Sequence, residues 1–293
     1  MAKILVGLSM FMIIGFTAFV VDAGSLYFEK SSLQKSLDAA VLGGAQLLKV
    51  SEENAREVAI NLAAQNGFTV IESEVIIGED FIEIENTVNR ELFFARVLGF
   101  DNADVSAIAR AELVQTLVEG DGIIPVALEK GEYEKGAPYT MHFQPGNGKN
   151  KPEGGNFGFL GIDGNGGDVL REAIKNGSRR AVFEEYEWTE PGLMWGPVRD
   201  GFQYRIDQDK GKAHCQTYET ADNTCSRVVT VPIVEEFIDG GKNKVRIIGF
   251  ASFWIESPIK QHEIKGRFID SVEGGTFGEE GEDFGIYGVK LVK

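Results

Sequence analysis

Histidine and cysteine are scarce in this chain, at 3 and 2 of 293 residues. The histidines, His142, His214 and His262, lie far apart, and none shows the spacing of a metal-ligand set. His214 stands beside Cys215, but no further ligand pattern follows it. Basic residues also run short. The chain has 29 Lys and Arg against 45 Asp and Glu, a net charge of -16, and its cations form no patch. A phosphate backbone demands a basic surface, so nucleic acid is excluded as a partner. There is no G-x-S-x-G elbow, P-loop, dinucleotide fingerprint or D-x-S-x-S metal motif. The carboxylates around "EEYEW", with Glu190 and Asp200, read as solvated acids of an acidic chain rather than a sugar-cleaving pair. "DGNGGD" (Asp163, Asn165, Asp168) imitates the start of a calcium loop. Ile174 stands where the twelfth-position glutamate belongs, so a turn capping the next helix through Asp168 is expected instead. No catalytic residue, cofactor or metal is predicted.

Charge is missing altogether from Ile4 to Val21 ("ILVGLSMFMIIGFTAFVV"), and proline from Ile4 to Val50. As a helix the uncharged run spans about 27 Å, close to the hydrocarbon thickness of a bilayer. Ile4, Leu5, Leu8, Phe11, Ile13, Phe16 and Val20 are its candidate membrane or filament contacts. Val21-Asp22-Ala23 fits a signal-peptide cleavage site poorly, which favours a retained anchor. Lys3 and the amino group place the short end inside and Asp22 onward outside.

Beyond Asp22 the apolar positions Leu26, Leu33, Leu37, Ala40, Val41, Gly44, Leu47 and Leu48 trace one helical face. One helix of more than 40 residues follows, half apolar and half amphipathic. The small residues from Ala39 to Ala45 allow close approach of another element, either the chain's own domain or a second subunit.

Ser51 and Gly67 bracket a second helix as cap and stop. "FTVIESEVIIG" and "DFIEIENTV" alternate as paired strands across Gly78-Glu79, and "RELFFARVLGF" reads as a short helix. "ADVSAIARAELV" alternates again, with Val105, Ala107, Ala109 and Ala111 on one face. After "VEGDGIIP" come short strand candidates ("IIPVALE", "YTMHF", "RVVTVPIVEEFI", "KVRIIGFASFWI", "IKGRFIDSV"), many glycines and one helix, "GDVLREAIKNG". The class is α+β. We divide the chain into a transmembrane plus amphipathic helix (1–50), a small α+β domain completing it (51–117) and a mostly β, glycine-rich domain (118–293). The acidic end of the last, with Phe277, Phe284 and Tyr287, forms a tail or docking arm. If the chain is exported, Cys215 and Cys225 close a short disulfide loop; in a reducing cytosol they stay free thiols.

The pattern from Val21 to Ala45 resembles the N-terminal signature of the TadE/TadG-like Flp pilus-assembly proteins. That signature is an apolar segment, then V-D-x-G-x-x-Y, then L-Q-x-x-x-D-A-A-x-x-x-G-A. Asp22, Gly24, Tyr27, Leu33, Gln34, Asp38, Ala39, Ala40, Gly44 and Ala45 carry it here. "FFARVLGFDNADVSAIARAEL" is similar to the closing part of the same domain. The resemblance implies a non-enzymatic, membrane-anchored and surface-exposed pilus-assembly or minor pilin-like component, with membrane, other pilus components or further copies as partners. A main filament subunit and a tethered extracellular enzyme or ligand-binding domain are the alternatives.

Overall fold

The computed structural model describes residues 2–142, 157–178, 181–190, 195–238, 242–260, 262–278 and 282–292. It is α+β, and it divides into two compact units, Met1–Glu112 with Lys290–Lys293, and Leu113–Val289.

The first unit begins with helix α1 (Ala2–Ala45), 44 residues without a break. Nothing in its sequence would stop it, since no proline intervenes. Helix α2 (Glu52–Gln65) starts where the Ser51 side chain accepts a hydrogen bond from the Asn54 N–H. It ends at Gly67, whose φ of +90° only glycine adopts freely. Three antiparallel strands follow: β1 (Val75–Ile77), β2 (Phe81–Glu91) and β3 (Asn102–Gln115). The alternation of β3 buries Val105, Ala107, Ala109 and Ala111 on one face.

Two expectations for this unit change. "FTVIES" forms no strand, because the backbone takes a single 3-10 turn at Glu72–Glu74 and only Val75–Ile77 pairs. "RELFFARVLGF" is not an α-helix. Arg90 and Glu91 finish β2, and a short 3-10 turn, Ala95–Leu98, occupies the connection to β3.

In the second unit the main sheet is built from β5 (Val126–Glu129), β6 (Pro138–His142), β7 (Phe157–Phe159), β10 (Val228–Val234), β11 (Lys244–Ile255) and β12 (Glu263–Ile269). Their order is β6-β12-β11-β10-β5-β7, and β9 (Tyr186–Trp188) adds to β11. A small sheet joins β4 (Leu117–Gly120) to β8 (Ala181–Val182) and β14 (Thr276–Phe277), while β13 (Ser271–Val272) pairs in parallel with β15 (Ile286–Val292). Among the described residues this region holds two helices rather than one: α3 (Gly167–Asn176) and α4 (Trp195–Gln208). Gly201 lets them cross closely, since a Cβ there would lie 2.7 Å from Ile174 Cγ2. Leu170, Ile174, Val198, Phe202 and Ile206 of these helices join Val229, Val231, Ile233, Phe253 and Ile255 in one core. The acidic end docks inside this unit: Tyr287 is buried, and Phe277 and Phe284 pack against its core clusters.

Candidate functional site

The family-motif residues singled out in the sequence all lie on α1, and one of them, Asp22, meets the connection between β2 and β3. Among the described residues, the buried positions on α1 are Asp22 and, eleven residues on, Leu33, Ser36, Leu37, Ala40, Val41, Gly44 and Ala45, a stripe at three- and four-residue spacing. Each of Leu33, Leu37 and Val41 contributes about 1.5–3 kcal/mol by leaving water. At Gly44 a Cβ would stand 2.8 Å from the Ala55 carbonyl oxygen, 2.8 Å from Ile82 Cδ1 and 3.0 Å from Ala59 Cβ. The partner at Gly44 is therefore α2 and β2 of the same unit. Ala55, Ala59 and Ala63 form the facing stripe on α2, and Ser36 Oγ donates to the Ala63 carbonyl at 3.3 Å.

Polar links fasten the helix along its length. Gln34 Nε2 donates to Asp38 Oδ1 and to the Ile108 carbonyl, both at 2.8 Å. Arg90 pairs with Glu29 at 2.6 Å, and as its guanidinium is half exposed the pair adds at most about 1 kcal/mol. Asp22 makes the most specific link. Its carboxylate accepts from the backbone N–H groups of Phe93 (2.8 Å), Phe94 (3.0 Å) and Ala95 (2.7 Å). These are the open donors at the start of the Ala95–Leu98 turn, whose own preceding residue, Phe94, offers no side-chain cap. A residue over seventy positions away thus supplies the cap. Burial pushes the Asp22 pKa up, but the N–H bonds from Ala95, Phe93 and Phe94 prevail and hold it below its ordinary value. Gly99, at φ +89°, turns the chain out of the loop towards β3.

The other motif residues divide by exposure. Ala39 and Asp38 are half-buried, whereas Gly24 and Tyr27 face outward; a Cβ on Gly24 would meet nothing within 4 Å. Phe16, Phe19, Val20 and Phe28 are exposed on α1, as are Phe93, Phe94, Val97 and Phe100 in the loop. Among the described residues no helix is long and apolar enough to cross a membrane. The side chains of Ile4, Leu5, Leu8, Phe11 and Ile13 lie outside the described residues.

In the second unit Cys215 and Cys225 form a disulfide, and His214 Nε2 lies 3.3 Å from Cys215 Sγ. These three residues converge closely enough for metal ligation, but the disulfide occupies both sulfurs. Asp168 does not cap α3. The N-cap is Gly166, and Asp168 sits inside the first turn, paired with Arg171 at 2.6 Å. Asn165 accepts from Lys242 Nζ. Glu190 accepts from the Gly166 N–H, and Asp200 pairs with Arg199. A cleft of about 550 Å³ gathers Tyr133, Asp270, Glu282 and Asp283. Three of the five carboxylates along it are engaged by the chain itself: Asp270 by Lys135, Glu282 by Lys130, and Asp283 by the Gly285 N–H and the Tyr287 hydroxyl.

Residues 1–47 match the family of Flp pilus-assembly TadE/G-like proteins. The match covers α1 and its exit turn and supports a pilus-related role. The stretch Phe93–Leu113 lies beyond it. No curated protein and no solved structure matches the chain.

Proposed function

We propose that this chain is a structural, non-catalytic component of a Tad/Flp-type pilus system. It is held in the membrane by the uncharged first half of α1 and displays the rest of the chain outside the cell, as an assembly factor or minor pilin-like protein. The observation that carries this reading is the joint itself. One unbroken helix runs from an apolar half, exposed at Met10, Met12, Phe16, Phe19 and Val20, into a half clamped on a folded unit, and Asp22 stands at the change. Because α2 and β2 occupy the groove at Gly44, the small-residue stretch there serves the chain's own fold. Association with other subunits then falls to the outward side of α1. Exposed Phe16, Phe19 and Val20 also support a second reading, a filament subunit in which neighbouring helices replace lipid.

The test is Phe16→Asp in the full chain, with surface filaments and chain folding scored together. Loss of filaments with α2 and β3 still protected from hydrogen exchange is the expected result. Unaffected filaments would remove the assembly role. Recovery of the intact chain in sheared extracellular material favours the subunit reading, and its confinement to membranes favours the assembly factor.

A further inference from the structure

The loop between β2 and β3 leaves apolar side chains uncovered. Phe93 is 68 % exposed, Val97 84 % and Phe100 64 %. From Leu92 to Phe100 the one charged residue is Arg96. An exposed run of this kind is unusual on a water-facing hairpin. Its position along α1 explains it. The Asp22 carboxylate holds the N–H groups of Phe93, Phe94 and Ala95, so the loop lies at the axial level of residue 22. That level is where the uncharged run Ile4–Val21 ends.

We infer that this loop is a membrane-interface foot: Phe93, Val97 and Phe100 insert among the lipid headgroups and upper acyl chains of the leaflet that α1 leaves. The inference rests on the membrane anchoring proposed above. Aromatic rings favour this depth, where an apolar body meets a polar boundary. The arrangement also accounts for Asp22. A carboxylate at the edge of the hydrocarbon is costly unless its charge is satisfied, and the loop supplies the N–H donors while shielding it, leaving it 5 % exposed. Lipid is chosen over a second copy because the loop stands where the uncharged run Ile4–Val21 ends, the level at which an anchored helix leaves the bilayer.

The experiment uses the full chain with its disulfide intact, so that only an introduced thiol is labelled. Val97→Cys and Phe100→Cys carry a nitrobenzoxadiazole fluorophore, with Phe16→Cys as the reference for the anchor. Each is reconstituted in vesicles of phosphatidylcholine and phosphatidylglycerol containing spin-labelled lipid. Labels at 97 and 100 are expected to lose about half their emission to a nitroxide near the headgroup, and the label at 16 to a deeper one. Quenching at 16 with labels at 97 and 100 open to aqueous iodide overturns the inference and leaves the anchor standing. Labels at 97 and 100 shielded from both lipid nitroxide and iodide indicate cover by another copy, which also overturns it. No lipid quenching at 16 removes the anchor and this inference together. Asp22→Ala should weaken the quenching at 97 and spare that at 16.

Discussion

The first unit leaves runs of apolar side chains on its surface, from Phe16 to Phe28 on α1 and from Phe93 to Phe100 in one loop, whereas the second exposes Tyr186, Trp188, Tyr204 and Ile238 at scattered places and buries three charged side chains. Arg205, Asp209 and Arg227 are all below 9 % exposed there. Arg205 donates to the Ile174 and Ser226 carbonyls, and Arg227 stacks on Trp254 4.8 Å from the ring centre. A disulfide closes the segment between them in sequence and space. The second unit meets the needs of Arg205 and Asp209 from within, although Arg227 Nε and Nη2 and the hydroxyls of Tyr139, Ser178 and Ser252 have no hydrogen-bond partner among the described residues. The first meets its polar needs along α1 but leaves apolar surface for something else to cover. That contrast teaches where to look for assembly, and four experiments can break or sharpen it.

The largest effect is expected at Gly44→Val. Its side chain would collide with the Ala55 carbonyl, a backbone atom that cannot rotate away. Overpacking of this kind costs about 3 kcal/mol, readable as lost protection of α2 in the first unit alone. Gly24→Val, into open space, should stay within about 0.5 kcal/mol of wild type and affect assembly if anything.

Replacing both Cys215 and Cys225 by alanine should lower the stability of the second unit by roughly 2–3 kcal/mol in denaturant, leaving amide exchange in α1 and α2 unchanged. Loss of protection in both units would erase the contrast.

Glu273 supplies a pH test. Burial raises its pKa to about 7, against a hydrogen bond from Ser271 that lowers it and a nearby Asp222 that raises it further. The folded state then binds this proton more tightly than the unfolded state. The resulting stability is complete below the ordinary glutamate value of 4.5 and is lost as pH rises to about 7. The loss amounts to roughly 2 kcal/mol after allowing for residual exposure. Glu273→Gln should flatten that slope in a pH series of thermal melts.

Asp22 has the opposite sign and the smallest effect. Its folded pKa lies below 3.8, so its contribution is present above that value and fades as pH falls through the range beneath it. Exchange at the Phe93, Phe94 and Ala95 amides should quicken there, and Asp22→Asn should quicken it already at neutral pH.

Local chemistry was legible in advance. The uninterrupted α1, the Ser51 cap, the Gly67 stop and the alternation of β3 all rest on residues a few positions apart. The misreadings arise from contacts distant in sequence. "RELFFARVLGF" has helical composition, but β2 extends through Arg90 and Glu91, and the remaining turn is capped from Asp22. "MWGPVRDGFQYRIDQ" hides α4 behind Gly196, Pro197 and Gly201. Pro197 falls in the first turn, where its missing N–H costs nothing, and Gly201 is used for the crossing with α3. Of the candidate site, the motif positions could be named from the sequence. Which of them serve the fold, like Gly44, and which face outward, like Gly24 and Tyr27, required the partners of each.

The central claim is that α1 fastens an external structure to the membrane through a joint at Asp22. Protease treatment of intact cells expressing the full chain, followed by alkaline carbonate extraction, tests it most directly. The account predicts that protease removes material beyond Asp22 and leaves a short N-terminal helix fragment in the carbonate-washed membrane. A chain that resists external protease, or that carbonate releases whole, would contradict it.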